Sequence, residues 1–140
     1  IKPNSDEMYK LLDLVLGPMT LEKAVYSPPR NTQALAKHAT NIGRPVFCTR
    51  GPAGIEVFKP PSGQLIPAYP VAGPIDICGA GDSTSAGITS AMVAGLTHEQ
   101  AAAFGNLVAS ITIQQLGTTG TASPEQVRKR WKEVSGLAGA

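Results

Sequence analysis

The sequence predicts an α/β fold in which helices pack on a mostly parallel sheet. Three observations carry that expectation. Helical stretches and short apolar, strand-like runs alternate along the chain, the order that layered α/β domains show. Gly- and Pro-rich punctuation separates them. Hydrophobic residues make up 42% of the 140 residues, enough for one domain with its own core.

Taken in order, "IKPN" reads as the end of a strand turning into a helix. "NSDEMYKLLDLVLG" reads as that helix, with Met8, Leu11, Leu12, Val15 and Leu16 at helical spacing. Asn4 fits its N-cap, Glu7 the capping-box position three residues on, and Gly17 the stop. "YSPPR" breaks any helix that reaches it, and "NTQALAKHATNIG" follows as a short helix. "PVFCTR" suits a buried strand. "GIEVFKP" and "GQLIPAYP" suit two more, the first reached through a Gly-Pro-Ala-Gly turn. "PID" leads into "DICGAGDSTSAG". Two helices are expected next, at about residues 80–94 and 97–116, with Gly95 between them. The last helix opens at "SPEQ": Ser123 as N-cap, Pro124 at the first helical position and Gln126 at the third.

Composition excludes several classes. A net charge of +2 with 16% charged residues is too mild for nucleic acid or an anionic membrane surface. No apolar run approaches the ~20 residues of a membrane span. "IKPNSDEMYK" lacks the apolar core of a signal peptide. Cys48 and Cys78 lie far apart without a CxxC partner, which predicts reduced thiols in a cytoplasmic protein. His38 and His98 lack metal-ligand spacing, and "RKRWK" reads as a solvated helix face. There is no GxxxxGK[ST] and no GxGxxG, so neither a P-loop nor a dinucleotide turn is expected. The chain opens without an initiator Met, as a piece of something longer would.

The chemistry concentrates at residues 76–87. Gly79 and Gly81 flank Ala80 where a strand-like segment gives way to a helix. Glycine there permits unusual backbone angles and removes the Cβ that would keep a ligand off the amides. Helix-start N–H groups have no partners within the helix, and the dipole adds positive charge, so such a turn can hold a phosphate. The simpler reading is that the glycines only make the turn and Asp82 is a capping or first-turn acid. The surroundings weigh against it. Ser83 to Thr97 carries no charge, nor does Ala101 to Gln115, so both helices are expected to be buried on most of their faces. A carboxylate heading a buried helix is costly unless amides, a cation or a ligand compensate it. Beside an anion hole it suits phosphoryl transfer: the amides stabilise the transferred group and the carboxylate accepts a proton from the attacking hydroxyl.

"DICGAGD" resembles the D-T-x-G-A-G-D signature of the ribokinase (phosphofructokinase-B type) carbohydrate kinases. The resemblance runs along nearly the whole chain, in order: "KPNSDE" is similar to the family's N-x-x-E segment and "CTRGPAG" to its T-x-G-x-x-G. "FGNLVAS" is similar to its helix with an adenine-side Asn, and "GTTGTASP" to its closing loop. It implies a ribokinase-like three-layer α/β/α fold, with this chain as the C-terminal half. It also implies ATP-dependent phosphorylation of a sugar or nucleoside-like small molecule. Carried over, Asp82 matches the catalytic base, and Gly79, Ala80 and Gly81 the anion hole. Asn4 and Glu7 match the pair that organises Mg²⁺ largely through water, although they also make an ordinary capping box. Thr49 and Gly51 match positions near the nucleotide, where a strand-end turn would serve equally. Asn106 matches the adenine-side Asn, or is a hydrogen-bonded polar residue in a buried helix. Asp76 matches the acid that in many members helps form a monovalent-cation site, with K⁺ as the ion. Ile77 stands where Thr is usual and Thr84 where Phe is common. The family's substrate-binding Asp, glycine-rich sugar segment and lid have no counterpart in this stretch. Alternatives from other classes are a non-catalytic nucleotide- or anion-binding module, an inactive truncated fragment, and a structural α/β domain. An apolar face left by the missing half would favour a homodimer.

Overall fold

A computed structural model of the chain describes residues 28–136. The helix expected over "NSDEMYKLLDLVLG", with Asn4 and Glu7, lies outside the described residues. The elements are α1 (Pro28–Ile42), β1 (Val46–Thr49), a 3₁₀ turn (Gly51–Ala53), β2 (Ile55–Lys59), β3 (Ser62–Ile66), α2 (Ala80–Val93), α3 (His98–Thr112) and α4 (Pro124–Val134). The chain divides into two compact units. Among described residues, the first comprises 28–51 with 55–65, and the second 52–54 with 66–136.

In the first unit, α1 packs on β1 and β2 of a three-stranded sheet of order β1-β2-β3, whose β3 is largely exposed. Leu35 and Ala39, one turn apart, form a core with Val46, Cys48 and Phe58, and Ile42 packs against it. The helix ends where Gly43 adopts φ 61, with Gly43 N donating to Thr40 O and Arg44 N to Ala39 O. These are the paired bonds of a glycine C-cap. In β1, Val46, Phe47 and Cys48 are all buried, as are Ile55 to Phe58 in β2, so both strands read as continuous apolar runs broken only by Glu56.

The direction of the sheet differs from the expectation. β1 and β2 pair antiparallel, with Val46 opposite Phe58 and Thr49 opposite Ile55. The reason lies in the connections. A parallel neighbour needs a crossover of a dozen or more residues, whereas β1 and β2 are joined by residues 50–54 alone. β2 and β3 are joined only by Pro60 and Pro61, which permits antiparallel neighbours alone. The sequence alternates helix and strand overall, but its three described strands follow one another with no helix between them.

The second unit is built on α2 and α3. They meet at glycine: a Cβ on Gly87 would lie 3.0 Å from Gly105 Cα, and one on Gly105 2.8 Å from Ile88 Cγ1. The absence of side chains there lets the backbones approach closely. α3 buries much of its surface, including Ala101, Ala102, Gly105, Asn106 and Leu107. α2 buries only Thr84, Gly87, Ile88 and Ala91, while Val93 is 84% exposed. Lack of charge predicted burial on most faces. Along α2 the exposed positions are instead filled by small or apolar residues such as Ala86, Thr89, Ser90 and Val93. α4 begins as expected: Ser123 Oγ accepts from Gln126 N and Gln126 Oε1 accepts from Ser123 N, with Pro124 at the start. In "RKRWK", Arg130 turns inward, donating from Nε to Ser110 Oγ at 3.1 Å and from a terminal nitrogen to Pro70 O.

Candidate functional site

The turn before α2 gathers five of the residues singled out above. Asp76 enters it pinned at three points. Its backbone N donates to Ile113 O at 2.8 Å. Its carboxylate accepts from Cys78 N at Oδ1 and from Gly117 N at Oδ2, both at 2.9 Å. The Cys78 N–H, and then the Gly117 N–H, hold this carboxyl below the usual carboxylate range. Ile77 O next accepts from Ala80 N at 3.0 Å, which closes the turn.

Gly79 is the N-cap of α2, with φ 74 and no side-chain cap. It is the glycine that needs its conformational freedom, because a Cβ would also lie 2.9 Å from Thr119 Cβ. Gly81 lies within the helix and not at positive φ; its contribution is a bare amide. The first intrahelical bond runs from Ser83 N to Gly79 O at 2.9 Å. The N–H groups of Gly81 and Asp82 therefore meet no acceptor among the described residues. Asp82 sits beside them in the first turn, exposed, and its carboxylate likewise has no partner among the described residues. Ser85 and Thr84 direct their hydroxyls back to the carbonyls of Gly81 and Ala80, at 2.8 and 2.7 Å, and so leave the amide end open.

Opposite Gly79 lies the loop after α3. Gly117 and Gly120 take φ of 72 and 71, and Thr119 stands between them against Gly79. "GTTGT" and "DICGAGD" are thus one constellation within the second unit. Gln115, which sequence reasoning did not select, fastens the loop's far end to Thr121.

The other sequence candidates belong to other elements. Asn106 is buried on α3, and its Nδ2 donates to Ile66 O at 3.0 Å and Pro67 O at 3.1 Å. The polar residue in that helix is therefore hydrogen-bonded to backbone. Thr49 and Gly51 belong to the first unit. Thr49 is half-buried at the end of β1, and Gly51 is exposed at φ 53. Between them Arg50 makes an ion pair with Glu56 that sequence reasoning also missed; Arg50 follows β1 directly and Glu56 is the second residue of β2. Cys48 is buried and Cys78 exposed, and both are free thiols. Among the described residues, no helix is long and apolar enough to cross a membrane.

Comparison with known proteins gives a consistent neighbourhood. A family profile described as pfkB family carbohydrate kinase matches residues 1–126. An inositol 3-kinase of Arabidopsis thaliana is 36% identical over 72 residues, which is 51% of this chain and 20% of that protein. A ribokinase of Bacillus subtilis is 33% identical over 89 residues, 64% of this chain and 29% of that one. The solved structure of Arabidopsis thaliana ribokinase complexed with ribose and ATP superposes with a TM-score of 0.77 at 28% identity. It covers 94% of this chain and 40% of its own. The chain spans well under half the length of these relatives.

Proposed function

The chain belongs to the pfkB family of carbohydrate kinases, and from that premise we propose that it supplies the phosphate-holding turn and the general base for ATP-dependent phosphorylation of a hydroxyl on a sugar or nucleoside-like small molecule. The observation that carries the reading is the open start of α2. Among the described residues, the backbone N–H groups of Gly81 and Asp82 meet no acceptor, and the carboxylate beside them has no partner. This donor set fits a phosphate: the amides present partial positive charge, and glycine lets an anion approach them closely. ATP, when bound, supplies the phosphoryl group to be transferred. The Gly81 and Asp82 amides would stabilise negative charge at that position, and the Asp82 carboxylate would take the proton from the attacking hydroxyl. Such transfer depends on positioning and charge stabilisation more than on a strong base, so a carboxylate can serve.

The remaining assignments follow the same premise. Thr49 and Gly51 are assigned to the nucleotide, and Asn4 and Glu7 to Mg²⁺ through water. Asp76, whose oxygens each accept one N–H, is assigned to a monovalent cation such as K⁺. Asn106 serves the nucleotide side by holding the 66–67 backbone with its amide. The relative solved with ribose and ATP supports this substrate class. Because the chain spans 20% and 29% of its curated relatives, the second reading is a nucleotide-binding piece without turnover of its own. A cytoplasmic setting and a homodimer belong to the same proposal.

Asp82→Asn separates the readings. In a protein that phosphorylates sugars, it is expected to keep ATP affinity while kcat falls roughly 10²–10⁴-fold. The measurement is coupled ADP release over a panel of sugars and nucleosides, with ATP binding followed by calorimetry. Wild-type turnover by a folded Asp82→Asn protein would end the catalytic assignment. ATP binding without turnover in the parent protein would favour the second reading.

A further inference from the structure

A side chain outside the glycine motif holds the loop that faces it. Gln115 follows the last turn of α3 and spends its whole carboxamide on backbone. Nε2 donates to Thr121 O at 2.7 Å and, more weakly, to Ile111 O at 3.4 Å. Oε1 accepts from Thr121 N at 3.1 Å. The two bonds to Thr121 offer it the donor and acceptor that a neighbouring strand would. The near end of the loop is fixed separately, by Asp76 Oδ2 on Gly117 N at 2.9 Å. Between these anchors the loop passes through two left-handed glycines, Gly117 and Gly120, and a Cβ on Gly120 would lie 2.7 Å from Thr112 O. Such a path is one of many open to a glycine-rich segment, so it needs anchors to be kept. What it presents is Thr119, in contact range of Gly79, whose carbonyl in turn starts the α2 hydrogen-bond ladder.

We propose that Gln115 is a positioning residue for the phosphate-holding turn. Its carboxamide clamps the 117–121 loop, the clamped loop confines Gly79, and Gly79 sets the direction of the Gly81 and Asp82 N–H groups. The inference rests on the phosphate reading of that turn given above. Gln115 acts through Thr121 and Thr119 and touches no ligand itself.

Gln115→Met in the full chain keeps the side-chain length and removes both hydrogen-bonding atoms. Gln115→Glu keeps an acceptor for Thr121 N but, ionised, cannot donate to Thr121 O. Gln100→Met is the reference: it removes a comparable bond, Gln100 Oε1 to Thr97 N at 3.0 Å, at the other end of the same helix. Three quantities are measured: hydrogen exchange at Thr121 N, affinity for ATP with excess magnesium by calorimetry, and Tm. Gln115→Met is expected to speed Thr121 exchange about 10-fold or more and to weaken ATP binding about 3- to 10-fold, the worth of one or two net hydrogen bonds. Gln115→Glu should fall between it and the parent, and it answers the same question should the Met variant not fold. Gln100→Met should lower Tm to a similar degree with ATP affinity unchanged. That split is one a purely structural role for Gln115 would not produce. Undisturbed Thr121 exchange in the Gln115 variants overturns the clamp, and a released loop with parental ATP affinity overturns its link to the turn. A parent chain that binds no ATP overturns the phosphate reading, and with it the link, while the exchange data still decide the clamp.

Discussion

Among the described residues, the second unit has three α-helix starts, finished in two different ways. At α3 and α4 a hydroxyl and a carboxamide close the end. Thr97 with Gln100, and Ser123 with Gln126, form reciprocal capping boxes that satisfy two otherwise free N–H groups each. At α2 the N-cap is Gly79, which has nothing to offer, and the N–H groups of Gly81 and Asp82 stay open among the described residues. The difference does not lie in the acid. All three helices carry one in the first turn: Asp82, Glu99 and Glu125. A first-turn acid favours any helix dipole and says little about function. A helix that starts on Gly instead of a capping hydroxyl or carboxamide forfeits only about a few tenths of a kcal/mol, and here it does so at the turn where a phosphate is proposed to sit.

The sharpest way to break the contrast is at the two glycines, whose demands differ. Gly79→Val places a β-branched residue at φ 74 with its Cβ 2.9 Å from that of Thr119. It is expected to cost about 1–3 kcal/mol from backbone strain, with further loss from the contact, and to abolish ATP binding. Gly81→Ala is the counterpart. It replaces glycine inside a helix, so stability should hold or rise by up to about 1 kcal/mol, while ATP affinity falls because a methyl stands beside the open amide. Denaturant unfolding and calorimetry on the two variants read both effects. If Gly81→Ala is stabilised and binds ATP like the parent, the open amides are only an unfinished helix end.

The reciprocal change is made at the closed ends. Thr97→Ala and Ser123→Ala each remove a capping hydroxyl and should lower stability by about 0.5–2 kcal/mol. Neither should move ATP affinity, which calorimetry at a temperature well below either Tm would show. A loss of affinity in either would mean that the helix starts are not separable, and that the contrast with α2 is one of degree.

Much of this contrast was legible in the chain. Ser123, Pro124 and Gln126 spell a helix start with local chemistry, and the structure has it. The "GAGD" turn was legible as a break between elements because glycine marks turns wherever it falls. Its conformational burden was not: the sequence offered two glycines, and only contact with Thr119, forty positions downstream, singles out Gly79. The direction of the described strands was not legible for a related reason, since an apolar run such as "VFCT" looks the same in either orientation and only the short 50–54 connection makes β1 and β2 antiparallel. Burial of α2 was overread because absence of charge was treated as burial, whereas Ala, Ser and Thr are tolerated on either face. Gln115 and Arg130 were missed altogether. The capture of Thr121 and Pro70 by these long polar side chains is set by loop paths that no periodicity encodes.

The smallest expected effect concerns the carboxylate that α2 does have nearby. Asp76 directs its oxygens to Cys78 and Gly117, not to the amides at the helix start, so it builds the turn and leaves the opening free. Its carboxyl is held below the ordinary value, first by the Cys78 N–H and then by the Gly117 N–H, which means the folded chain prefers the ionised form. The stability this confers is present in full above the unfolded-chain pKa of about 3.9, declines as pH falls, and is gone below the depressed folded value. Asp76→Asn keeps one acceptor oxygen and loses the other. It should be less stable than the parent at pH 7, with the gap in Tm closing as pH is lowered through the acid range. Thermal melts of both proteins from neutral to acidic pH test this. A gap that stays constant would show that the Asp76 charge does not fasten the 117–121 loop to the turn. The loop's placement against Gly79 would then rest on Gln115 and on packing alone.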